Sequence, residues 1–498
     1  MQFLRKYRVL IMIGVPLLAI LAGVAASAFQ RSNDSDPTRV LKNQNAPAQE
    51  LPIPPLIDAS EQGNRIEIDI TDGEVEFFPG HPSKTKGFSG DFLGPTILTR
   101  NGQDITFVWN NQLSEVSNIH KHGLHVPGSV DGGPQNIIQP GESREEVLEI
   151  RQEASTNWYH PHVMGLTATQ VYDGLAGMFY IEDENSDSLN LPGVYGVDDI
   201  PLVVQDRAFI DKVMTYTVLE GHHTHTEHAG RNLSADDVEH KDMFGNTILT
   251  NGAVNVYKNV PQGWVRLRVL NGSNARRLGF AFSDNRPFYV IASDGGFLEN
   301  PAQMHQIDLW TGERVEILVD FSNGQDASLM TANQFQRNFD INVVKFRVDQ
   351  TLKSSGAFPA GPLNVIERHD PEDVQVTRTF TLDESLPGGF MGINGAPMDM
   401  NVINERVISG QLEKWVITTD WNSHPFHIHG ASFQVIGDNV LPQNQGWKDT
   451  IHVKDRVELL VKFHFEATEK HPYMYHCHVL EHEDMGMMGQ FVVTAHSP

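Results

Sequence analysis

The chain has 498 residues, a formal net charge of −26 and one cysteine. This length predicts several domains, the acidic balance argues against nucleic acid as a partner, and a single cysteine excludes an intramolecular disulfide. The 42 glycines and 27 prolines break the sequence into short runs rich in valine and isoleucine. Such runs, separated by turn sequences, predict an all-β fold built from sandwiches.

The N-terminus predicts an exported protein. Three basic residues among the first eight precede an apolar stretch at residues 9–26, as in a secretory signal. Residues 1–28 are expected to form a signal peptide cleaved after Ala28, although the apolar stretch approaches the length of an uncleaved membrane anchor. Residues 29–55 are polar and rich in proline, which predicts a linker. A periplasmic or otherwise exported location follows.

Three blocks of β-like alternation follow this linker. Their boundaries are predicted at residues 56–185, 198–350 and 374–498, and a connecting segment of mixed composition is predicted at 351–373. Each block has the size of one β-sandwich domain. We call them blocks one, two and three.

An internal repeat links block one to block three. Tyr-His-Pro-His at residues 159–162 precedes Gly-Leu-Ala-Gly at 174–177, and Tyr-His-Cys-His at 475–478 precedes Gly-Met-Met-Gly at 486–489. The position of Cys477 is held by a proline in block one. Only block three can therefore offer a thiolate to a metal.

Within blocks one and three, histidines separated by one residue occur four times, twice in each block. Alternate residues of a strand share a face, so each pair can direct two imidazoles to one side. Half-buried strand histidines are the ordinary alternative, but four pairs in matching places favour a cluster of borderline metal ions between blocks one and three. The pairs are His120 with His122, His160 with His162, His427 with His429, and His476 with His478.

The cysteine lies between the last two of these histidines. In a strand, Cys477 points away from the face that His476 and His478 share. If all three residues bind metal, the cysteine forms a short covalent bridge between two metal sites. A thiolate, two imidazoles and a distant thioether form a blue-copper site, and His424, His482 and a nearby methionine complete that set.

These motifs resemble those of the multicopper oxidases, a family that includes laccases and bacterial copper-efflux oxidases. The likeness covers nearly the whole mature chain, and the four histidine motifs occur in the family's order. It implies three cupredoxin-like Greek-key β-sandwich domains and four copper ions. The implied ligands are His424, Cys477, His482 and Met487 for type 1 copper, His120 and His427 for type 2, and His122, His160, His162, His429, His476 and His478 for the type 3 pair.

The resemblance also implies a reaction. A donor would pass single electrons to type 1 copper through Cys477, and four electrons would reduce dioxygen to two waters. Asp131 and Glu483 match acidic residues to which the family assigns proton delivery. Without the resemblance, a turn-capping aspartate and a solvated glutamate would be the simpler interpretation.

The electron donor is less closely constrained by the sequence. Asp420 matches a carboxylate that binds substrate copper in the copper-efflux oxidases, which predicts Cu(I) oxidation and a role in copper tolerance. The methionine-rich insertion of that subgroup is absent, and a histidine-rich stretch at residues 222–228 could replace it or could be a solvated loop. The second hypothesis for the function is a laccase-like oxidase of phenols and aromatic amines. The third is a non-catalytic scaffold in the cell envelope. A monomer is expected.

Overall fold

The structure is a computed structural model that describes residues 40–216, 242–333, 338–420 and 422–495. Strands account for 47% of the described residues and helices for 6%, which confirms the all-β prediction. The predicted signal peptide, the histidine-rich stretch at 222–228 and Trp421 lie outside the described residues. Within the described ranges, no helix combines the length and apolar character needed to cross a membrane.

Block one is a sandwich of a four-stranded and a five-stranded sheet. Its four-stranded sheet has the order β4-β3-β6-β8, and its five-stranded sheet has the order β2-β5-β10-β9-β7. The strands are β2 (Leu56–Asp58), β3 (Arg65–Phe78), β4 (His81–Phe88), β5 (Thr96–Arg100), β6 (Asp104–Asn111), β7 (His120–His122), β8 (Ser143–Glu149), β9 (Ser155–His160) and β10 (Gly177–Glu182). The helices are α1 (Gly128–Asp131), α2 (Thr167–Asp173) and α3 (Glu184–Ser188).

Block two contains two six-stranded sheets and a small hairpin. The sheets have the orders β1-β15-β23-β22-β17-β20 and β14-β11-β16-β21-β18-β19, and β12 pairs with β13. The strands are β1 (Gln49–Glu50), β11 (Asp199–Arg207), β12 (Phe209–Ile210), β13 (Val213–Met214), β14 (Thr247–Thr250), β15 (Val256–Pro261), β16 (Trp264–Asn271), β17 (Leu278–Phe282), β18 (Phe288–Ser293), β19 (Gly296–Met304), β20 (Gln306–Leu309), β21 (Arg314–Asp320), β22 (Ala327–Thr331) and β23 (Ile341–Asp349).

The described part of the segment expected to be a linker packs on block two. Strand β1 comes from this segment and pairs in parallel with β15. Leu41 and Leu51 are buried in the apolar core of block two. Apolar side chains at these two positions therefore attach the segment to the fold.

Block three is a sandwich of two five-stranded sheets. The orders are β25-β24-β27-β31-β29 and β26-β33-β32-β28-β30. The strands are β24 (Val376–Asp383), β25 (Gly392–Ile393), β26 (Glu405–Ile408), β27 (Leu412–Thr419), β28 (His424–Ile428), β29 (Phe433–Ile436), β30 (Thr450–Val453), β31 (Arg456–Lys462), β32 (Tyr473–Cys477) and β33 (Met488–Thr494). The helix α4 spans Leu480–Asp484, and 3-10 turns occur at Pro371–Asp373 and Pro442–Asn444.

The sequence repeat has the same register in both blocks. Tyr159 lies opposite Gly177 in the β9–β10 pair, and Tyr475 lies opposite Gly489 in the β32–β33 pair. In each case a side chain on the glycine would overlap the tyrosine ring. The repeated glycines therefore leave room for the repeated tyrosines.

This close contact predicts a cost for Gly489→Ala. The added methyl group must displace the buried Tyr475 ring, so we expect a loss of about 1–3 kcal/mol in the free energy of unfolding, typical of overpacking. Urea unfolding would measure the loss. Gly361→Ala is the matched control, because a Cβ at Gly361 meets no atom within 4 Å. Equal stability of the two variants would contradict the prediction.

Candidate metal centre

Two strand pairs bring the eight paired histidines together at the boundary of blocks one and three. His120 lies opposite His160 in the β7–β9 pair, and His427 lies opposite His476 in the β28–β32 pair. The side chains of all eight histidines are buried. The two blocks thus present matching faces to one another, as the repeat predicts.

The ring nitrogens form three groups, each with its ligand atoms within 4.8 Å of one another. One histidine, His122, contributes to two of them. The groups are His120, His122 and His427; His122, His160 and His478; and His162, His429 and His476. Three imidazoles in one small volume form a nitrogen-rich site that suits copper or another borderline metal ion.

Several of these rings turn the same kind of nitrogen inward. The Nε2 atom of His476 is 3.3 Å from that of His162 and 3.2 Å from that of His429. The Nε2 atoms of His120 and His427 are 3.4 Å apart. Unprotonated ring nitrogens are all hydrogen-bond acceptors, so they cannot bond to one another. A cation bound between the rings would accept a lone pair from each of them.

Hydrogen bonds on the outer side of the rings fix the tautomer. The Nδ1–H group of His427 donates to the Asp449 carbonyl at 2.8 Å, and that of His160 donates to the Pro161 carbonyl at 2.8 Å. The Nδ1–H group of His476 donates to the Cys477 carbonyl at 3.0 Å. Because a carbonyl only accepts, these rings keep Nε2 unprotonated, as metal ligation requires.

Burial favours the neutral form of seven of the eight histidines. Burial lowers the pKa of His429 to about 4, with a contribution from His120, although Asp131 opposes the shift. Burial also lowers the pKa of His478 to about 3. Neutral imidazoles at physiological pH are the form that binds metal. The donor set and its protonation therefore fit copper.

Asp131 lies against two of the rings. Its Oδ2 atom accepts a hydrogen bond from His429 Nδ1 at 2.7 Å and lies 3.5 Å from His120 Nδ1. Burial would raise the pKa of Asp131, but the two imidazoles hold it well below its usual range. An ionised carboxylate is therefore buried beside the rings. It orients His429 in the way that outer carboxylates orient metal-bound histidines.

Glu483 lies against two other rings. Its Oε1 atom is 3.3 Å from His162 Nδ1, and its Oε2 atom is 3.2 Å from His476 Nδ1. Burial raises its pKa well above the usual range, and the neighbouring carboxylate of Asp484 adds to the shift. Glu483 is therefore a buried carboxyl group that retains its proton more readily than Asp131 does.

The cysteine lies in a separate group beside the histidine cluster. Its Sγ atom is 3.5 Å from His424 Nδ1 and 3.7 Å from His482 Nδ1. Met487 is fully buried next to it, and the Met487 carbonyl accepts a hydrogen bond from the Cys477 amide at 3.0 Å. Burial raises the pKa of the Cys477 thiol. A bound cation would favour the thiolate there.

Asp242 also contacts this site, and none of the sequence motifs includes it. Its Oδ1 atom accepts a hydrogen bond from His482 Nε2 at 2.7 Å. The carboxylate is 36% exposed in its side chain, whereas His482 is 5% exposed. Asp242 thus connects a buried ligand candidate to the protein surface.

Asp420, the predicted substrate ligand, contacts the residue that follows β24. Its carboxylate accepts a hydrogen bond from the Glu384 amide at 3.3 Å, and Asn422 donates to the Glu384 carboxylate at 2.6 Å. Within the described part of the chain, no hydrogen bond joins Asp420 to His424. Its assignment to substrate binding stays a prediction.

Block two braces the cluster through a buried ion network. Arg314 donates to both oxygens of Asp449, at 2.7 and 2.6 Å. Asp449 Oδ1 in turn lies 3.0 Å from His122 Nε2. Asp294 accepts from the Arg314 amide and from Lys448 Nζ. These charged side chains are fully buried, and none of the histidine motifs includes them.

Three family models described as multicopper oxidase match residues 69–186, 214–350 and 367–497. Among curated relatives, the cell division protein FtsP of Dickeya dadantii (strain 3937) is 37% identical over 460 residues, covering 89% of this chain and 92% of the relative. FtsP of Escherichia coli (strain K12) is 35% identical, covering 90% of this chain and 93% of the relative.

The fold is also similar to solved structures. CueO from the lignin-degrading bacterium Ochrobactrum sp. is a laccase-like multicopper oxidase with oxidase activity towards lignin model compounds and lignosulfonate. It is 37% identical with a TM-score of 0.81, covering 89% of this chain and 100% of that one. A laccase from Pediococcus acidilactici is 33% identical with a TM-score of 0.79, covering 92% of this chain and 96% of that one.

The ion network predicts that Arg314→Met is strongly destabilising. The substitution leaves Asp449 and Asp294 buried without their guanidinium partner, so we expect a loss of about 3–5 kcal/mol in the free energy of unfolding. Arg406→Met is the control, because Arg406 pairs with Glu469 at the surface. A pair of that kind contributes less than about 1 kcal/mol. Urea unfolding of both variants measures the difference, and similar losses would contradict the buried role.

Proposed function

Since the chain belongs to the multicopper oxidase family, we propose that it is an active oxidase that takes single electrons from a donor and uses four of them to reduce dioxygen to two waters. The observation that carries this proposal is the position of Cys477. Its side chain lies in the group with His424 and His482, and its two chain neighbours lie in two different histidine groups. A chain kept only as a scaffold has no evident need for this arrangement.

Copper, when bound, supplies the one-electron steps and the reduction of dioxygen. The chain supplies the ligands and the path between them. From Cys477 Sγ, covalent bonds lead through the cysteine backbone to His476 and to His478. The hydrogen bond from His476 Nδ1 to the Cys477 carbonyl adds a shorter connection to one of those rings.

Three carboxyl groups near the cluster, those of Glu483, Asp484 and Asp131, are proposed to handle protons. Glu483 holds a proton beside His162 and His476, for the reasons given above. Burial raises the pKa of Asp484 to about 7, so this neighbour can exchange a proton near neutral pH. Asp131, which stays ionised, is proposed to orient His429 and to attract protons to the cluster.

Cu(I) is the donor that we propose first. The segment carrying Met391, Met398 and Met400 packs on the turn next to Met487, where the Met398 amide donates to the Gly486 carbonyl at 3.0 Å. Met400 is 37% exposed. Met400 offers a partly exposed thioether, and Asp242 offers a partly exposed carboxylate beside His482. The first group suits a soft cation, and the second attracts a cation by its charge.

A second donor class is supported by similarity. The laccase-like CueO named above acts on lignin model compounds, which makes phenols the second candidate for this chain. The curated relatives carry the name of cell division proteins. That name favours a scaffold role as the alternative to oxidase activity, and one variant separates the two.

Cys477→Ser is that variant. Loss of the thiolate should abolish oxygen consumption with Cu(I) and the blue absorption at about 600 nm expected of a copper thiolate. Oxygen-electrode assays and absorption spectra of copper-loaded protein would measure both. If wild-type protein lacks the absorption and consumes no oxygen with either donor class, the oxidase proposal is wrong. A scaffold role would then require that Cys477→Ser still restore cell division in a strain lacking the native chain.

Asp242→Asn tests the donor. The amide removes the negative charge beside His482, so we expect the KM for Cu(I) to rise about fivefold through lost attraction of the cation. The KM for a neutral phenol such as 2,6-dimethoxyphenol should change little. Asp104→Asn is the control, because Asp104 is an exposed carboxylate in block one. Equal changes for both donors would argue against a cation site at Asp242.

A further inference from the structure

A cavity at the boundary of blocks two and three has no place in the function proposed above. Its volume is about 550 Å³. It is lined by the residues around β20 of block two and by the stretch from the end of β29 to β30 of block three. This volume is typical of a site for a small organic molecule.

One wall of the cavity is an aromatic pair. The rings of Trp310 and His452 are stacked, with their centroids 4.1 Å apart and their planes 15° apart. Both ends of the pair are fixed by the fold. His452 belongs to β30, which pairs with β28, and Trp310 precedes Thr311, whose hydroxyl donates to the His478 carbonyl. The wall is therefore rigid and flat, as recognition of a planar ring requires.

Two polar atoms of the lining are buried without a hydrogen-bond partner. They are the Nε2 atom of His452 and the Oε1 atom of Gln443. The Gln443 side chain belongs to a residue that is 8% exposed. Buried polar atoms are rarely left unpaired in folded proteins. Because the amide oxygen of Gln443 can only accept, its partner must carry an N–H or O–H group.

The charges of the lining are balanced by their neighbours. Arg277 lies 3.4 Å from the Asp308 carboxylate, and Glu313 accepts from Lys448 at 3.0 Å. The remaining lining includes the apolar side chains of Ile307, Val435 and Ile451. A charged ligand would disturb these pairs, whereas a neutral one fits among them.

We propose that this cavity binds a small, neutral, planar aromatic molecule that carries an N–H or O–H group. Its ring lies against the Trp310–His452 pair, and its polar hydrogen is donated to Gln443 Oε1. This binding site is separate from the cation site proposed at Asp242, because Asp242 does not line the cavity. It does not depend on the oxidase activity, since it uses none of the proposed copper ligands.

Benzamide and methyl benzoate test this proposal on the copper-loaded protein. The two probes have similar shapes, and only benzamide has N–H groups. Calorimetric titration should show benzamide binding at least about tenfold more tightly than methyl benzoate, as expected for one satisfied buried acceptor. Failure of benzamide to bind, or equal affinity for the two probes, would overturn the proposal without any variant being needed.

Gln443→Met localises the binding. This variant keeps the length of the side chain and removes the acceptor, so benzamide affinity should fall about tenfold while methyl benzoate affinity stays the same. Gln445→Met is the matched control, because Gln445 is exposed on the same turn. Unchanged benzamide affinity in Gln443→Met, with thermal unfolding like that of wild type, would place the binding elsewhere and overturn the proposal.

Discussion

The structure depends on one constraint: eight imidazoles must meet in a buried volume that neither outer sandwich can enclose alone. The pairing of β7 with β9 and of β28 with β32 sets four ring positions on each side. Docking of blocks one and three then removes these rings from water. Desolvation lowers the pKa of seven of these rings. For His160, His427 and His476, backbone carbonyls select the tautomer that turns Nε2 inward. The same burial therefore provides both the shape and the chemistry of the site.

The described residues of block two contribute no histidine to the cluster, yet they hold the site in place. Arg314 reaches from β21 to Asp449 in block three, and Asp449 contacts His122 of block one. A single chain of charged contacts thus crosses all three blocks. Buried ion pairs have a high desolvation cost and add little net stability. Their value here is geometric, because two fixed hydrogen bonds define the angle of the Asp449 carboxylate against the ring.

The sequence could predict what is local or repeated. The strand periodicity identified the all-β fold, and the spacing of the His-x-His pairs identified all eight cluster residues. It could not identify Arg314 or Asp242, because neither belongs to a spaced motif. Arg314 contacts Asp449 and Asp242 contacts His482, each across more than a hundred residues of sequence. The packing of residues 40–55 on block two could not be predicted either, because a few apolar side chains in a polar stretch do not form a recognisable strand pattern. Asp131 and Glu483 came from the family resemblance, and only the structure gives their opposite pKa shifts.

The single cysteine has a consequence for anyone who studies this chain in solution. Cys477 is the sole thiol of the sequence, and its side chain is fully enclosed in the core of block three. A thiol-labelling reagent can therefore react with the described fold only when that core opens. The labelling rate then reports local opening of one sandwich, without any engineered probe and without interference from other thiols. The protein thus carries its own reporter for the stability of block three.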